Sequence, residues 1–207
     1  MNFSWSGQSC GSTSRLMLHE SIYDEVVGLI KTAVDKIVPG DPLDTNTGMG
    51  PVNSAKHYAH VLGLIESGVK EGARVLNGGG KAEVPGFEGG YWIQPTVFAD
   101  VTMDMTVAQE EVFGPVLSIL KWSEPEEALA MANQLDLGLT AAIFTHDITT
   151  AMDMARRVES GCVWINGTGR HYMGTGFAGW KNSGLGREEC LEEVLSYTRS
   201  KAIHIIM

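Results

Sequence analysis

Cys10 sits in Phe3-Ser-Trp-Ser-Gly-Gln-Ser-Cys-Gly-Ser-Thr-Ser-Arg15, where Gly7, Ser9, Gly11 and Ser12 leave little side-chain bulk around the sulfur. A carbonyl carbon could approach such a thiol along an open path. A loop of small residues could also offer backbone N–H groups to the charge developing on the carbonyl oxygen. The local sequence leaves two readings open: a nucleophile, or a redox-sensitive or merely exposed loop thiol. Cys162, in Gly161-Cys-Val-Trp-Ile-Asn166, reads instead as a small buried hydrophobe on a strand, its pKa raised by burial above the free value of ~8.5. Cys190 follows Arg187-Glu188-Glu189 on an expected helix, and nothing around it singles out its thiol. A second segment, Gln109-Glu-Glu-Val-Phe-Gly-Pro-Val116, joins two carboxylates to an aromatic ring, a tight turn and a strand. Adjacent glutamates are ordinarily solvated surface and Gly-Pro ordinarily a turn, so this segment alone says little.

The elements that must hold these residues are legible as alternating apolar strands and amphipathic helices. Arg15–His19 reads as a short strand, followed by a helix from Ser21 to about Val38 in which Ile22, Val26, Leu29, Ile30, Ala33, Val34 and Ile37 recur at helical spacing. Pro39-Gly-Asp-Pro42 ends it. A second helix is expected from about Ser54 to Glu71, with Ser54 as N-cap and Gly72 as stop. Strands are expected near 73–77, 91–98 and 116–121, a buried one at 140–145, and another at 162–166. Helices are expected near 125–135, 148–159 and 188–195. The fold class is therefore α/β, with a largely parallel sheet flanked by helices. The closing Ala202-Ile-His-Ile-Ile-Met207 is apolar and β-prone, an edge that invites pairing with another domain or subunit.

Composition narrows the function classes. With 207 residues, 25 glycines and 19% charged side chains, the chain suits a compact enzyme domain rich in loops, either one large domain or one with an appended arm. A formal net charge of −10 with no basic stripe argues against a nucleic-acid partner. Three irregularly spaced cysteines make no disulfide framework and no zinc-type spacing, so no metal site and a reducing cytoplasm are expected. No leader-like N-terminus and no apolar run of spanning length is seen, so the expectation is a protein neither exported nor membrane-bound.

The order of motifs carries more than any one of them. Pro39-Gly-Asp-Pro42, Gly48-Met-Gly-Pro51, Glu71-Gly-Ala-Arg-Val-Leu-Asn-Gly-Gly79, Tyr91-Trp-Ile-Gln-Pro-Thr96, Glu110-Glu-Val-Phe-Gly-Pro-Val116, Trp164-Ile-Asn166 and Lys181-Asn-Ser-Gly-Leu-Gly-Arg-Glu188 run, with Gly7-Gln-Ser-Cys10, across essentially the whole chain. In this the chain resembles the aldehyde dehydrogenase superfamily. The resemblance implies an NAD(P)-dependent oxidoreductase whose catalytic domain spans 1–197, with 198–207 as an oligomerisation strand. Cys10 matches the nucleophile that attacks a small-molecule aldehyde to give a thiohemiacetal and, after hydride transfer to NAD or NADP, a thioester that water hydrolyses; its backbone N–H matches one oxyanion donor. Glu111 matches the carboxylate on the nicotinamide ribose, and Phe113 the aromatic beside that end of the cofactor. Trp5, His171 and Phe177 match substrate-facing positions, with Asn166 opening the loop that walls the aldehyde entrance.

Departures from the family pattern are expected to matter. Gly176-Phe-Ala-Gly-Trp-Lys181 stands where Pro-Phe-Gly-Gly is common, Trp5 where a small polar residue is frequent, and His171 where an aromatic is frequent. The resemblance further implies that the nucleotide-binding sheet, an oxyanion asparagine and the glutamate that activates the deacylating water belong to sequence outside this chain. Gly78-Gly79-Gly80 follows an expected strand but opens no helix, so it fails as a dinucleotide fingerprint. The isolated chain is accordingly expected to be poorly active or inactive, and to associate as a homo-oligomer or with a nucleotide-binding domain or homologue. Two alternatives stand beside this reading: a cofactor-independent thiol esterase or acyltransferase, with His19 among the candidate bases, and a non-catalytic assembly module.

Overall fold

The computed structural model describes residues 2–207. It divides into two compact units, Met1–Ala132 and Asn133–Met207. The first is built on a four-stranded sheet in the order β1 (Arg15–His19), β4 (Val116–Trp122), β3 (Thr96–Val101), β2 (Arg74–Asn77). β1, β4 and β3 run parallel; β2 joins antiparallel to β3, so the sheet is mixed. β4 lies inside the sheet and is covered on both faces, which is why it reads as a mostly apolar run, broken only by the buried Ser118 before Lys121. Val116 and Leu120 enter one core with Val61, Leu64 and Ile65 of helix α2 (Ala55–Lys70). Leu117 and Ile119, on the opposite pleat, enter a second core with Tyr23, Val27 and Val34 of helix α1 (Tyr23–Val34).

α2 starts as its sequence implies. The Ser54 hydroxyl caps it by accepting the His57 N–H at 3.3 Å, and Gly72, at φ +98°, turns the chain after its end. α1 is shorter than its periodicity suggests: a 3₁₀ turn at Glu20–Ile22 precedes it and it stops at Val34 rather than Val38. Pro39 disfavours helical geometry at Val38, and the Val38 carbonyl is taken by Gly48 N–H while Asp35 receives the Asn77 amide at 2.6 Å. A short helix α3 (Thr106–Gln109) precedes the Glu111 segment and α4 (Pro125–Asn133) follows β4.

The second unit holds two small sheets. β6 (Thr140–Ile143) and β7 (Cys162–Ile165) pair in parallel beside α5 (Ile148–Arg157), and β5 (Leu137–Gly138) pairs antiparallel with β8 (Trp180–Lys181). β6 was expected to be buried and is half-exposed along its length, because within its unit it belongs to a two-stranded sheet. Asn166, at φ +54°, clasps the ends of β6 and β7 by exchanging two 2.9 Å hydrogen bonds with the Thr145 backbone. α6 (Leu191–Ser196) ends the regular structure; residues 198–207 form no strand within the chain and are exposed. Among the described residues no helix is long and apolar enough to cross a membrane.

Candidate active site

The thiol loop is shaped by a run of left-handed backbone and by one close backbone contact at Gly7. Ser4–Gly7 forms a 3₁₀ turn in which Trp5, Ser6 and Gly7 all hold positive φ (50°, 59° and 72°). A Cβ on Gly7 would fall 1.9 Å from the Gly114 carbonyl oxygen, so the loop rests directly on the backbone that follows Phe113. The buried Ser6 hydroxyl donates towards the Gly50 and Pro51 carbonyls (2.7 and 3.1 Å), and the Gln8 amide oxygen accepts the Asn53 N–H at 2.9 Å. Ser12 N–H bonds back to the Ser9 carbonyl at 3.1 Å, which makes Cys10 and Gly11 the central pair of a tight turn just before β1. Cys10 is exposed and Gly11 buried. The Cys10 and Gly11 N–H groups donate to no acceptor among the described residues.

The loop between α3 and β4 presents the second group of residues. Glu111 is exposed and makes no side-chain hydrogen bond among the described residues; Phe113 is half-buried at φ +50°. Gly114 has no room for a side chain, since a Cβ would meet Val61 of α2 at 2.7 Å. The Phe113 carbonyl accepts from His57 Nε2 at 2.7 Å. His57 and Phe113, with Asn53, Ser54, Lys56 and His60, line an open pocket of ≈ 380 Å³ at the start of α2. His57 has no signal in the sequence, because a histidine on the first turn of an amphipathic helix fits any solvent-facing position. The Phe113–Gly114 contact with the thiol loop is likewise a long-range approach that no local pattern marks.

In the second unit, His171 and Phe177 are brought together, their rings 4.9 Å apart, with Trp164 6.3 Å from His171. His171 Nδ1 meets the Glu189 carboxylate at 2.7 Å, and Phe177 pairs with Glu188 through both backbone groups, which holds the Gly176–Gly179 turn. Cys162 is half-buried, and burial, aided by the negative charge of Glu189, pushes its thiol above the ordinary range. Its environment is that of an inert thiol. Cys190 stands at the N-cap of α6 without a capping bond, not on the helix itself. Trp5, Cys10, Glu111 and Phe113 belong to the first unit, His171 and Phe177 to the second.

The described residues fit one end of a dinucleotide and not the other. Glu111 offers an unengaged carboxylate of the kind that binds ribose hydroxyls, and Phe113, two residues on, a half-buried ring. Gly78 and Gly79 hold positive φ (65° and 101°), but the chain then bridges Lys81 to Ile93 and opens no helix, so this turn cannot present helix N–H groups to a pyrophosphate. His19 is not directed at Cys10: its ring nitrogens meet Ser21 Oγ at 2.7 Å and the Ser123 carbonyl at 3.1 Å.

Known proteins share this arrangement of residues along the chain. Aldehyde dehydrogenase tropH of Talaromyces stipitatus is 47% identical over 99% of this chain and 41% of its own. Betaine aldehyde dehydrogenase of Brucella anthropi is 39% identical over the whole chain and 42% of its own. Among solved structures, a variant of apo betaine aldehyde dehydrogenase from Staphylococcus aureus gives a TM-score of 0.90 at 34% identity, covering 95% of this chain and 39% of that one. The NAD+ complex of an aldehyde dehydrogenase from Bacillus cereus gives 0.88 at 39% identity, covering 94% and 39%. The chain thus spans about two fifths of the length of the relatives it matches. The model of the aldehyde dehydrogenase family matches residues 1–203, and the chain belongs to that family.

Proposed function

We propose that this chain is the thiol-bearing part of an NAD(P)-dependent aldehyde dehydrogenase, oxidising an aldehyde to a carboxylic acid through a covalent adduct on Cys10. The observation that carries the reading is the exposed Cys10 on a tight turn whose own amide and that of Gly11 are unengaged. Cys10 Sγ, as thiolate, adds to the aldehyde carbon, and the carbonyl oxygen takes the negative charge, which those N–H groups stabilise. When bound, the nicotinamide cofactor supplies the hydride acceptor, with Glu111 holding its ribose and Phe113 flanking it. The acyl group remains on sulfur until water releases the acid. Trp5, His171 and Phe177 carry over from the resemblance as substrate contacts. The pairing of His171 with Glu189 supports a polar contribution at this position.

The family's water-activating glutamate has no counterpart among these residues, so turnover by the 207-residue chain alone is expected to be poor. The test is aldehyde-dependent formation of reduced cofactor by the chain alone and mixed with the nucleotide-binding portion of a curated relative. A signal only in the mixture, abolished by Cys10→Ala, is expected. Full turnover by the chain alone, or turnover that survives Cys10→Ala, would refute the assignment.

The esterase alternative is weakened at one candidate base, since both His19 nitrogens are engaged elsewhere. The assembly reading keeps one observation: Ile203, Ile205 and Ile206 are 75%, 81% and 97% exposed on an unpaired tail. We read that tail as a strand that pairs with another copy or a homologue. Light scattering should show oligomers that dissociate when residues 202–207 are removed; a monomeric intact chain would overturn this.

A further inference from the structure

His57 occupies the first turn of α2 and serves neither the thiol nor the carboxylate directly. Its Nε2 lies 2.7 Å from the Phe113 carbonyl oxygen and its ring meets that of Phe113 edge-on at 6.2 Å. A carbonyl only accepts, so Nε2 carries the hydrogen and the imidazole is the donor whatever the state of Nδ1. The bonded residue is in a conformation that L side chains enter only under constraint, at φ +50°. The residue after it, Gly114, is wedged against Val61 of α2, and its carbonyl is the surface on which Gly7 rests.

Three segments therefore brace one another. The thiol loop is tied to the approach to α2 through Ser6 and Gln8, which bond the backbone of Gly50, Pro51 and Asn53. It is tied to the Phe113 turn by the Gly7–Gly114 contact. His57 supplies the hydrogen bond that closes the third side, between α2 and Phe113.

We propose that His57 is a positioning residue for the Cys10 site, acting through the Phe113–Gly114 peptide on the turn that presents the thiol. The inference rests on the reading of Cys10 as nucleophile. Without the donor, the strained Phe113 backbone relaxes, the Gly114 carbonyl withdraws from Gly7, and the Cys10–Gly11 turn loses its backing. A lost hydrogen bond of this kind corresponds to roughly a five- to tenfold rise in local opening.

The experiment compares the wild-type 207-residue chain with His57→Leu and His57→Gln, the latter retaining a side-chain N–H donor of similar reach. Hydrogen–deuterium exchange is followed for peptides covering 3–12 and 110–116, together with iodoacetamide alkylation rates of Cys10, Cys162 and Cys190. The expected result is exchange raised by roughly five- to tenfold in both peptides of His57→Leu, a several-fold change in the Cys10 rate alone, and recovery of both in His57→Gln. The proposal is overturned if His57→Leu matches wild type. It is also overturned if His57→Gln is as perturbed as His57→Leu, or if all three cysteines shift together, which marks general destabilisation. A wild-type Cys10 that alkylates no faster than Cys162 and Cys190 defeats the nucleophile reading instead, while exchange at 110–116 still judges the brace.

Discussion

Replacing Gly7 with alanine tests whether the thiol loop depends on direct backbone contact. Two costs add. At φ +72° a Cβ-bearing residue sits in the left-handed region, at a cost of about 1–2 kcal/mol. The new Cβ would also lie 1.9 Å from the Gly114 oxygen, 2.2 Å from its carbonyl carbon and 2.8 Å from the Asn2 oxygen. Both partners are backbone and cannot swing away as a side-chain tip would. Relief demands that the loop or the Phe113 turn move bodily, the kind of overpacking that costs about 1–3 kcal/mol. Together these are about 2–5 kcal/mol, and at about 2–4 °C per kcal/mol for a chain of this size the melting midpoint should fall by roughly 4–20 °C. Gly28 and Gly63 provide the control: each sits within a helix where a Cβ meets nothing within 4 Å, so alanine there should stabilise by about 0.5–1 kcal/mol. Thermal melts by circular dichroism, paired with Cys10 alkylation, read both consequences. A Gly7→Ala chain that melts and alkylates like wild type would show that the loop does not lean on Gly114.

Two further outcomes concern the far edge of the same sheet. Asp100 has its carboxyl held below the usual range, first by the Arg74 hydrogen bond at 2.6 Å, against a smaller opposing effect of burial. Its folded pKa being depressed, it adds stability that is present above the unfolded value of about 3.9 and is lost as pH falls through the folded one. Asp100→Asn, tolerated at φ +56°, should flatten the acid limb of melting temperature against pH below about pH 4, and an unchanged limb would contradict this. The nearly inaccessible Tyr23 donates to Asp100 Oδ1 and accepts the Asp100 N–H, both at 2.8 Å, so Tyr23→Phe should cost about 1–3 kcal/mol in denaturant unfolding by stranding that amide. A neutral effect would mean that water replaces the hydroxyl.

What could be read from residue order was whatever has a period or a local steric signature. β4 announced itself as an apolar run and α2 as a capped amphipathic helix, and the tiny neighbours of Cys10 marked an accessible turn. Glu111 and Phe113 stood out only through the resemblance, since a pair of glutamates before a Gly-Pro turn has no chemistry of its own. The premature end of α1 depends on Asn77 reaching Asp35, and the shape of the thiol loop on Gly7 meeting Gly114. Such contacts join residues far apart in the chain, and neither partner alone carries the information. The β5–β8 pairing, two residues long, is below the length at which alternation can be recognised.

The strand order of the first sheet also sets a sequence of events in time. β1 pairs with β4 alone, Arg15 lying opposite Ser118, a partner roughly a hundred residues later in the chain. During synthesis, at about 5–20 residues per second, β1 waits roughly 5–20 s for that partner to emerge. Gly114, the support beneath Gly7, arrives in the same late segment. Cys10 and β1 thus leave the ribosome roughly a hundred residues ahead of the segment that seats them, so the thiol turn stays without its backbone support until β4 has been made.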